Sequence, residues 1–186
     1  MTELTTDVLK SVRQDAEQLF SNVEVAAAMD NIASEITNDL KGRNPLVLTI
    51  MNGGMVPTAM LLDRLNFPLE VDYIHLTRYG DLTTGGEIEW IRHPSKKVAG
   101  RTVLLVDDLL DHGVTLQSAV ESCVKNGANE VFTAVLLVKS LAKRSGLQRT
   151  DYFGLTAPDR YVFGCGMDYK NYWRNCAGIF ALKDHD

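Results

Sequence analysis

Two adjacent carboxylates, a third acid, a glycine and a hydroxyl group follow one another closely in the middle of the chain. They are, in order, Asp107, Asp108, Asp111, Gly113 and Thr115. Neighbouring carboxylates offer several hydrogen-bond acceptors, which suits the vicinal hydroxyl groups of a sugar. A glycine lets the backbone approach a ligand closely, and a threonine hydroxyl can donate a hydrogen bond. The combination predicts a site for a sugar phosphate.

The apolar residues on either side of this group predict a strand followed by a helix. Residues 103–106 are consecutively apolar, which suits a strand buried on both faces. After Thr115, apolar residues recur at helical spacing at Leu116, Ala119, Val120 and Cys123. The polar residues are therefore expected in a loop at a helix N-terminus, where free N–H groups and the helix dipole favour a bound phosphate.

Each of these residues also has an ordinary structural explanation. Two acids after a strand are often only a solvated turn, and a threonine before a helix is often only its N-cap. The combination of all of them at one strand-to-helix junction favours the binding site.

Composition limits the class of protein. The chain has 186 residues, of which 45% are hydrophobic, so we expect a single domain over residues 1–186. A net charge of −5 argues against a sequence-independent nucleic-acid-binding protein, which needs a basic face. No apolar run has the length of a membrane span, and the N-terminal residues do not resemble a signal peptide. A cytoplasmic protein with no nucleic-acid or membrane partner is expected.

The cysteines and histidines lack the spacing of a structural metal site. The three cysteines form no Cys-x-x-Cys pair, so they are expected to be reduced thiols. The four histidines are scattered, and the glycine-rich fingerprints of dinucleotide and nucleoside-triphosphate sites are missing.

Strand and helix patterns alternate along most of the chain. A capping box at Ser21 and Glu24 begins a helix that continues to Leu40. The further predicted elements are strands at 46–51, 69–77, 87–92 and 130–138 and a helix at 57–65. This order predicts an α/β fold with a twisted, mostly parallel sheet flanked by helices, and ligands at the carboxyl ends of its strands.

The C-terminal part of the chain, about residues 150–186, loses this alternation and becomes rich in aromatic residues and glycine. Its rings could be ordinary core that closes the sheet. Alternatively, a small lobe above the main site could offer a flat aromatic surface to a planar base.

The loop after the buried strand resembles the phosphoribosyl-pyrophosphate motif of the type I phosphoribosyltransferases. That motif has an apolar strand, two acids, two apolar residues and Asp-Thr-Gly-x-Thr, and this chain departs from it once, at His112. Four further segments resemble the hypoxanthine-guanine phosphoribosyltransferases, at 51–54, 78–86, 136–139 and 161–169. The resemblance covers about residues 46–182. It implies the type I fold, with the C-terminal part contributing to a purine-binding hood.

The resemblance also implies a reaction and a role for each site residue. Phosphoribose would pass from phosphoribosyl pyrophosphate to hypoxanthine or guanine, giving IMP or GMP and pyrophosphate. The 5-phosphate would be bound by Asp111, His112, Gly113, Val114 and Thr115, and the ribose by Asp107 and Asp108. The purine would be bound by Lys139, Tyr161 and Val162, and pyrophosphate by Asn52, Gly53, Arg78, Tyr79 and Arg174.

Three of these implied roles concern the chemistry directly. Asp111 would be the general acid/base at purine N7. Lys139, which has only donors, would bind the purine 6-oxygen and refuse the amino group of adenine. Tyr161 would stack on the purine ring. A solvent-exposed lysine at a strand end and a surface salt bridge are the competing interpretations of Lys139 and Arg174.

Mg²⁺ is the expected cofactor, because pyrophosphate is a hard oxygen ligand. Asp168, Asp107 and Asp108 would be its protein carboxylates. The first loop resembles one with a cis peptide, here between Met51 and Asn52, although Asn52 replaces the lysine more common in the family. Arg78, in place of the more common serine, and Tyr79 would begin a lid that excludes water.

Two other functions remain open from the sequence. One is the same chemistry with xanthine and guanine preferred. The other is a regulator that keeps the fold and binds nucleotides or RNA, which the acidic composition disfavours. The resemblance implies a homodimer or homotetramer.

Overall fold

The structure is a computed structural model, which describes residues 4–79 and 87–183. The helices are α1 (Thr6–Asp15), α2 (Asn22–Leu40), α3 (Met55–Leu62) and α4 (Val114–Lys125). The strands are β1 (Glu17–Phe20), β2 (Leu46–Met51), β3 (Glu70–Tyr79), β4 (Glu87–Arg92), β5 (Thr102–Leu110), β6 (Glu130–Lys139), β7 (Tyr152–Ala157), β8 (Val162–Phe163) and β9 (Ile179–Ala181). Nothing in this part of the chain is a helix both long enough and apolar enough to cross a bilayer.

A six-stranded sheet forms the centre of the fold, in the order β4-β3-β2-β5-β6-β7. All neighbours are parallel except β3 and β4, which form an antiparallel hairpin. The predicted α/β fold with a mostly parallel sheet is therefore confirmed. Since β2, β5 and β6 are parallel neighbours, the loops that follow them meet at one edge of the sheet.

Strand β5 is buried on both faces, as its run of apolar residues predicts. Leu104 and Val106 pack with α2 and α3 on one face, whereas Val103 and Leu105 pack with α4 on the other. The strand is longer than predicted, because its pairing with β6 continues to Leu110. The two adjacent acids consequently lie on the strand and not in the loop.

Helix α2 agrees with the prediction, α3 and α4 differ from it in their bounds, and α1 was not predicted. At the start of α2, Ser21 Oγ accepts a hydrogen bond from the Glu24 amide, and the Glu24 carboxylate accepts one from the Ser21 amide. Helix α3 begins two residues before Pro57 and ends before the predicted position 65. Proline is tolerated in a first turn because its missing N–H has no intrahelical acceptor there.

A second, three-stranded sheet stands apart from the first, in the order β1-β9-β8. We call this sheet and the segment 164–178 between β8 and β9 the hood. Strand β1 joins it antiparallel to β9, a pairing that the sequence analysis did not predict. Strand β7, which lies within the predicted hood segment, instead pairs with β6 as an edge strand of the large sheet.

The predicted lid lies outside the described residues. The backbone of β3 is described to Tyr79, but residues 80–86 and the side chains of Arg78 and Tyr79 are not.

Candidate functional site

A cavity of about 540 Å³ opens at the carboxyl ends of β2, β5 and β6, beneath the hood. This volume lies in the range of small-molecule sites. Its lining includes the predicted residues Asn52, Gly53, Asp107, Asp108, Asp111, His112, Gly113, Val114, Thr115, Lys139, Tyr161, Val162, Asp168 and Arg174. The structure thus brings together the predicted site residues whose side chains it describes.

The loop after β5 leads directly into helix α4. Gly113 is the N-cap residue, with a φ of +77° that an L side chain would rarely adopt. Thr115 lies inside the first turn, so the N-cap interpretation of this residue is wrong. The N–H groups of a first helical turn have no intrahelical acceptor. Residues 113–116 line the cavity, and free N–H groups in such a turn favour a bound anion.

Two acids form the floor of the cavity. Asp107 is buried, and its Oδ1 accepts a hydrogen bond of 2.9 Å from the Asp108 amide, so a solvated turn is excluded. Burial raises the pKa of Asp107 well above its ordinary value, and the neighbouring Asp108 carboxylate adds to this effect. Burial also raises the pKa of Asp108. The positive charge of Arg174 opposes both shifts. A divalent cation would be favoured beside such carboxylates.

The loop after β2 presses against these acids. The peptide bond between Met51 and Asn52 is cis, as the resemblance implies. A Cβ atom at Gly53 would lie 2.2 Å from Asp108 Oδ2, and one at Gly166 in the hood would lie 2.2 Å from the Gly53 carbonyl oxygen. Only residues without side chains allow the first loop, the floor and the hood to approach this closely.

Lys139 ends strand β6 inside the cavity. Its residue is only 8% exposed, so the interpretation as a solvent-exposed lysine is wrong. Its Nζ lies 3.1 Å from Asp111 Oδ2 and 3.6 Å from Asp159 Oδ1. Asp159, which the sequence analysis did not single out, is therefore a second counter-ion. The other oxygen of Asp111, Oδ1, is buried and accepts no hydrogen bond from the described residues.

Arg174 and Asp168 form an ion pair on the hood side of the cavity. Arg174 Nη2 lies 2.7 Å from Asp168 Oδ1, and Nη1 donates to the Gly166 carbonyl oxygen. The second oxygen of Asp168 accepts a hydrogen bond from the Asn171 amide. The pair lines the cavity and is mostly buried, which distinguishes it from a surface salt bridge.

The hood also supplies the aromatic wall. Tyr161 is 48% exposed, and its ring meets the ring of Tyr169 edge to face with centroids 5.9 Å apart. Val162 follows it in the buried strand β8. The exposed face of the tyrosine ring is available to a planar ligand.

Sequence reasoning missed the segment 144–147, which supports the loop after β5 from outside the cavity. Arg144 Nε donates to the Asp111 carbonyl oxygen, and the amides of Gly146 and Leu147 donate to the carbonyl oxygens of His112 and Gly113. Nothing in the spacing of residues 144–147 identifies these contacts, because they depend on how the segment folds back onto the loop.

No cluster of three or more His, Cys, Asp or Glu side chains within residues 4–79 and 87–183 is arranged to hold a metal ion alone. A metal in this cavity would therefore need ligand oxygens or water in addition to protein carboxylates, which is usual for Mg²⁺.

Comparison with known proteins gives one consistent family. Residues 15–170 match the model of the phosphoribosyl transferase domain. The bifunctional protein TilS/HprT of Listeria innocua is 32% identical over 176 residues, which are 94% of this chain but 27% of that protein. The chain thus spans about a quarter of the length of that relative.

Other relatives match over nearly their whole length. The hypoxanthine-guanine phosphoribosyltransferase of Lactococcus lactis is 32% identical over 169 residues, covering 89% of this chain and 90% of that protein. The crystal structure of a hypoxanthine phosphoribosyltransferase from Staphylococcus aureus has a TM-score of 0.86 at 26% identity, and the match covers 93% and 95% of the two chains.

Proposed function

The chain belongs to the hypoxanthine-guanine phosphoribosyltransferase family, and from this premise we propose the reaction that its cavity carries out. It transfers phosphoribose from phosphoribosyl pyrophosphate to hypoxanthine or guanine, in purine salvage, and releases pyrophosphate with IMP or GMP. The observation that carries the proposal is the buried Lys139 ammonium beside Asp111, in a cavity that also contains a helix N-terminus, the buried Asp107 and the partly buried Asp108.

The 5-phosphate binds at the start of α4. The loop Asp111–Thr115 offers backbone N–H groups, the positive end of the helix dipole and the Thr115 hydroxyl. His112 stands where the family motif has threonine, and its side chain is about half exposed. Since backbone amides do not depend on side-chain type, His112 leaves this binding mode intact.

The ribose hydroxyls bind at Asp107 and Asp108, the acids on the floor of the cavity. Pyrophosphate binds on the opposite side of the ribose, at Asn52, Gly53 and Arg174. The resemblance adds Arg78 and Tyr79 to this subsite, whose side chains lie outside the described residues. Support for this arrangement comes from the contact between Gly53 and Asp108, which joins the two subsites directly.

The purine base binds between the hood and the end of β6. Tyr161 stacks on the ring, the backbone of Val162 meets its edge, and Lys139 donates to the 6-oxygen. Because an ammonium group has only donors, the amino group of adenine leaves it without an acceptor. A buried donor that loses its acceptor costs free energy, so adenine is refused.

Asp111 is the general acid/base. Its Oδ1 is buried without a hydrogen-bond donor among the described residues, whereas Oδ2 pairs with Lys139. Oδ1 accepts the N7 proton of the base as N9 bonds to ribose C1 and the bond from C1 to pyrophosphate breaks. The larger contribution is stabilisation of the positive charge that develops on the sugar and of the departing pyrophosphate.

Mg²⁺ fits this donor set. Asp107 and Asp108 are carboxylates whose charges are unfavourably buried, and Asp168 lies across the cavity with both oxygens already engaged. Few protein carboxylates together with substrate oxygens are the usual environment of Mg²⁺. When bound, the ion supplies positive charge to the pyrophosphate oxygens.

We further propose that the enzyme acts in the cytoplasm, as its composition predicts, and forms a homodimer or homotetramer, as the resemblance implies.

The first test is nucleotide formation from phosphoribosyl pyrophosphate with Mg²⁺, using hypoxanthine, guanine, xanthine and adenine in parallel. Turnover of hypoxanthine and guanine with little turnover of adenine is expected. The xanthine reaction decides whether the specificity is broader, as the name of the Tritrichomonas foetus relative indicates for that protein. No turnover of any base would contradict the proposal and favour a regulator, which an RNA-binding measurement would then test.

A further inference from the structure

We propose that Arg144 is a positioning residue that holds the 5-phosphate loop and the purine-recognising lysine in one arrangement. The inference rests on the proposed function for the identity of the ligands, but the contacts that carry it do not involve any ligand. Arg144 lies outside the cavity lining, behind the loop that ends at Thr115.

The guanidinium of Arg144 contacts both halves of the site. Its Nε donates to the Asp111 carbonyl oxygen at 2.9 Å, its Nη2 donates to the Lys139 carbonyl oxygen, and its Nη1 donates to the Gln148 carbonyl oxygen at 3.3 Å. Asp111 begins the phosphate loop, and Lys139 ends strand β6. One side chain therefore fixes the distance between the backbone at Asp111, where the phosphate loop begins, and the backbone at Lys139, whose ammonium group selects the base.

The segment after Arg144 adds backbone contacts to the same loop. The Gly146 and Leu147 amides donate to the carbonyl oxygens of His112 and Gly113 at 2.9 and 3.0 Å. A Cβ atom at Gly146 would lie 2.4 Å from the Gly113 carbonyl carbon, and one at Gly113 would lie 2.3 Å from the Leu147 carbonyl oxygen. The two backbones are in direct contact, so displacement of one displaces the other.

The requirement is for arginine and not only for positive charge. A guanidinium is planar and presents several N–H donors in fixed directions, so it can bridge three carbonyl oxygens at once. The ammonium of lysine is a compact point charge and cannot reach all three. A lysine at position 144 would keep the positive charge near the phosphate site but could not make all three hydrogen bonds to the carbonyl oxygens.

The experiment compares Arg144→Lys and Arg144→Gln with Arg149→Gln, an exposed arginine just beyond the same segment. Calorimetry measures the affinity of each variant for IMP and, separately, for Mg²⁺-pyrophosphate. Both Arg144 variants are expected to bind IMP at least about tenfold more weakly, while pyrophosphate affinity changes by less than about twofold. The Arg149 variant is expected to match the wild type for both ligands.

Hydrogen exchange supplies a readout that needs no ligand and no turnover. The amides of residues 111–116 are expected to exchange faster in both Arg144 variants than in the wild type and the Arg149 variant, while the exchange of the β2 amides is unchanged.

Chemical rescue is a further test. Added guanidinium ion is expected to restore part of the IMP affinity to an Arg144→Gly variant.

Two results would overturn the inference. One is unchanged exchange in residues 111–116 of both Arg144 variants. The other is an equal loss of IMP and pyrophosphate affinity, which would indicate general damage to the fold. Failure of the wild-type protein to form nucleotide would instead contradict the proposed function, and the exchange measurement would still decide the role of Arg144.

Discussion

Replacing Gly53 with alanine is expected to damage catalysis while leaving the fold nearly intact. The new Cβ atom would lie 2.2 Å from Asp108 Oδ2, 2.5 Å from its Cγ and 2.7 Å from its Oδ1. All three atoms belong to the end of a side chain, which can rotate away without moving the backbone. Restoring an ordinary contact of 3.4 Å requires the carboxylate to move by about 1.2 Å.

A displacement of this size is large for a group that binds the reacting sugar. Misplacement of a positioned group by about 1 Å can lower the rate of an enzyme about 100-fold. We therefore expect kcat/KM of Gly53→Ala to fall about 100-fold, which corresponds to about 2.7 kcal/mol of transition-state stabilisation. Gly53 has no positive φ, so the alanine adds no backbone strain.

The neighbouring Gly54 provides the matched control. There a Cβ atom would lie 2.4 Å from the Val106 carbonyl oxygen and 2.7 Å from the Ile50 carbonyl oxygen. These are backbone atoms of the two central strands, and they cannot rotate away. Gly54→Ala is expected to lower the free energy of unfolding by about 1–3 kcal/mol.

Steady-state kinetics and chemical denaturation of both variants test this reasoning together. The expected pattern is a stable Gly53→Ala protein with strongly reduced kcat/KM and a destabilised Gly54→Ala protein. Wild-type kcat/KM in Gly53→Ala would refute the placement of Asp108 against the ribose. A loss of stability in Gly53→Ala as large as that in Gly54→Ala would refute the argument that only a side chain has to move.

Three further substitutions test single roles. Asp111→Asn is expected to lower kcat about 100-fold or more by removing the general acid/base, whereas calorimetry should find IMP affinity nearly unchanged; wild-type kcat would exclude the role. Lys139→Gln is expected to lower kcat/KM for hypoxanthine about 10- to 100-fold, because a charged hydrogen bond is lost, and to narrow the discrimination against adenine in parallel assays. Asp107→Asn is expected to raise the free energy of unfolding at pH 7 by about 0.5–2 kcal/mol, because burial raises the pKa of the native carboxyl and its ionisation destabilises the fold. Denaturation at several pH values should show that this gain disappears as pH falls through the raised pKa towards the ordinary value of 3.8, and a gain independent of pH would contradict it.

The sequence was sufficient to predict the elements whose signals are local. The apolar residues of β5 and the capping box of α2 each lie within a few consecutive positions, and both elements form where they were predicted. The alternation of strands and helices predicted ligands at the carboxyl ends of the strands, and the family resemblance assigned residues that follow β2, β5 and β6 to one site. Their convergence in one cavity agrees with that reasoning.

Features that depend on distant pairing were not predictable in this way. Asp108 lies on β5 because the strand continues to pair with β6 beyond the apolar residues 103–106. The types of the residues in this extension do not indicate that it pairs. The contacts of Arg144 and the second counter-ion Asp159 likewise arise only when separate loops fold against each other. Residue type alone could not distinguish Arg144 and Asp159 from the other charged residues of the chain.

The pairing of β1 with β9 affects when the site becomes complete during synthesis. Glu17 lies opposite Ala181, so this part of the hood joins residues that are made far apart in time. The large sheet up to β6 needs nothing after Lys139, whereas the hood sheet needs β9. Contacts between residues distant in sequence form late, because a long loop must close first. The phosphate half of the site is therefore expected to take shape on the ribosome before the wall that accepts the base.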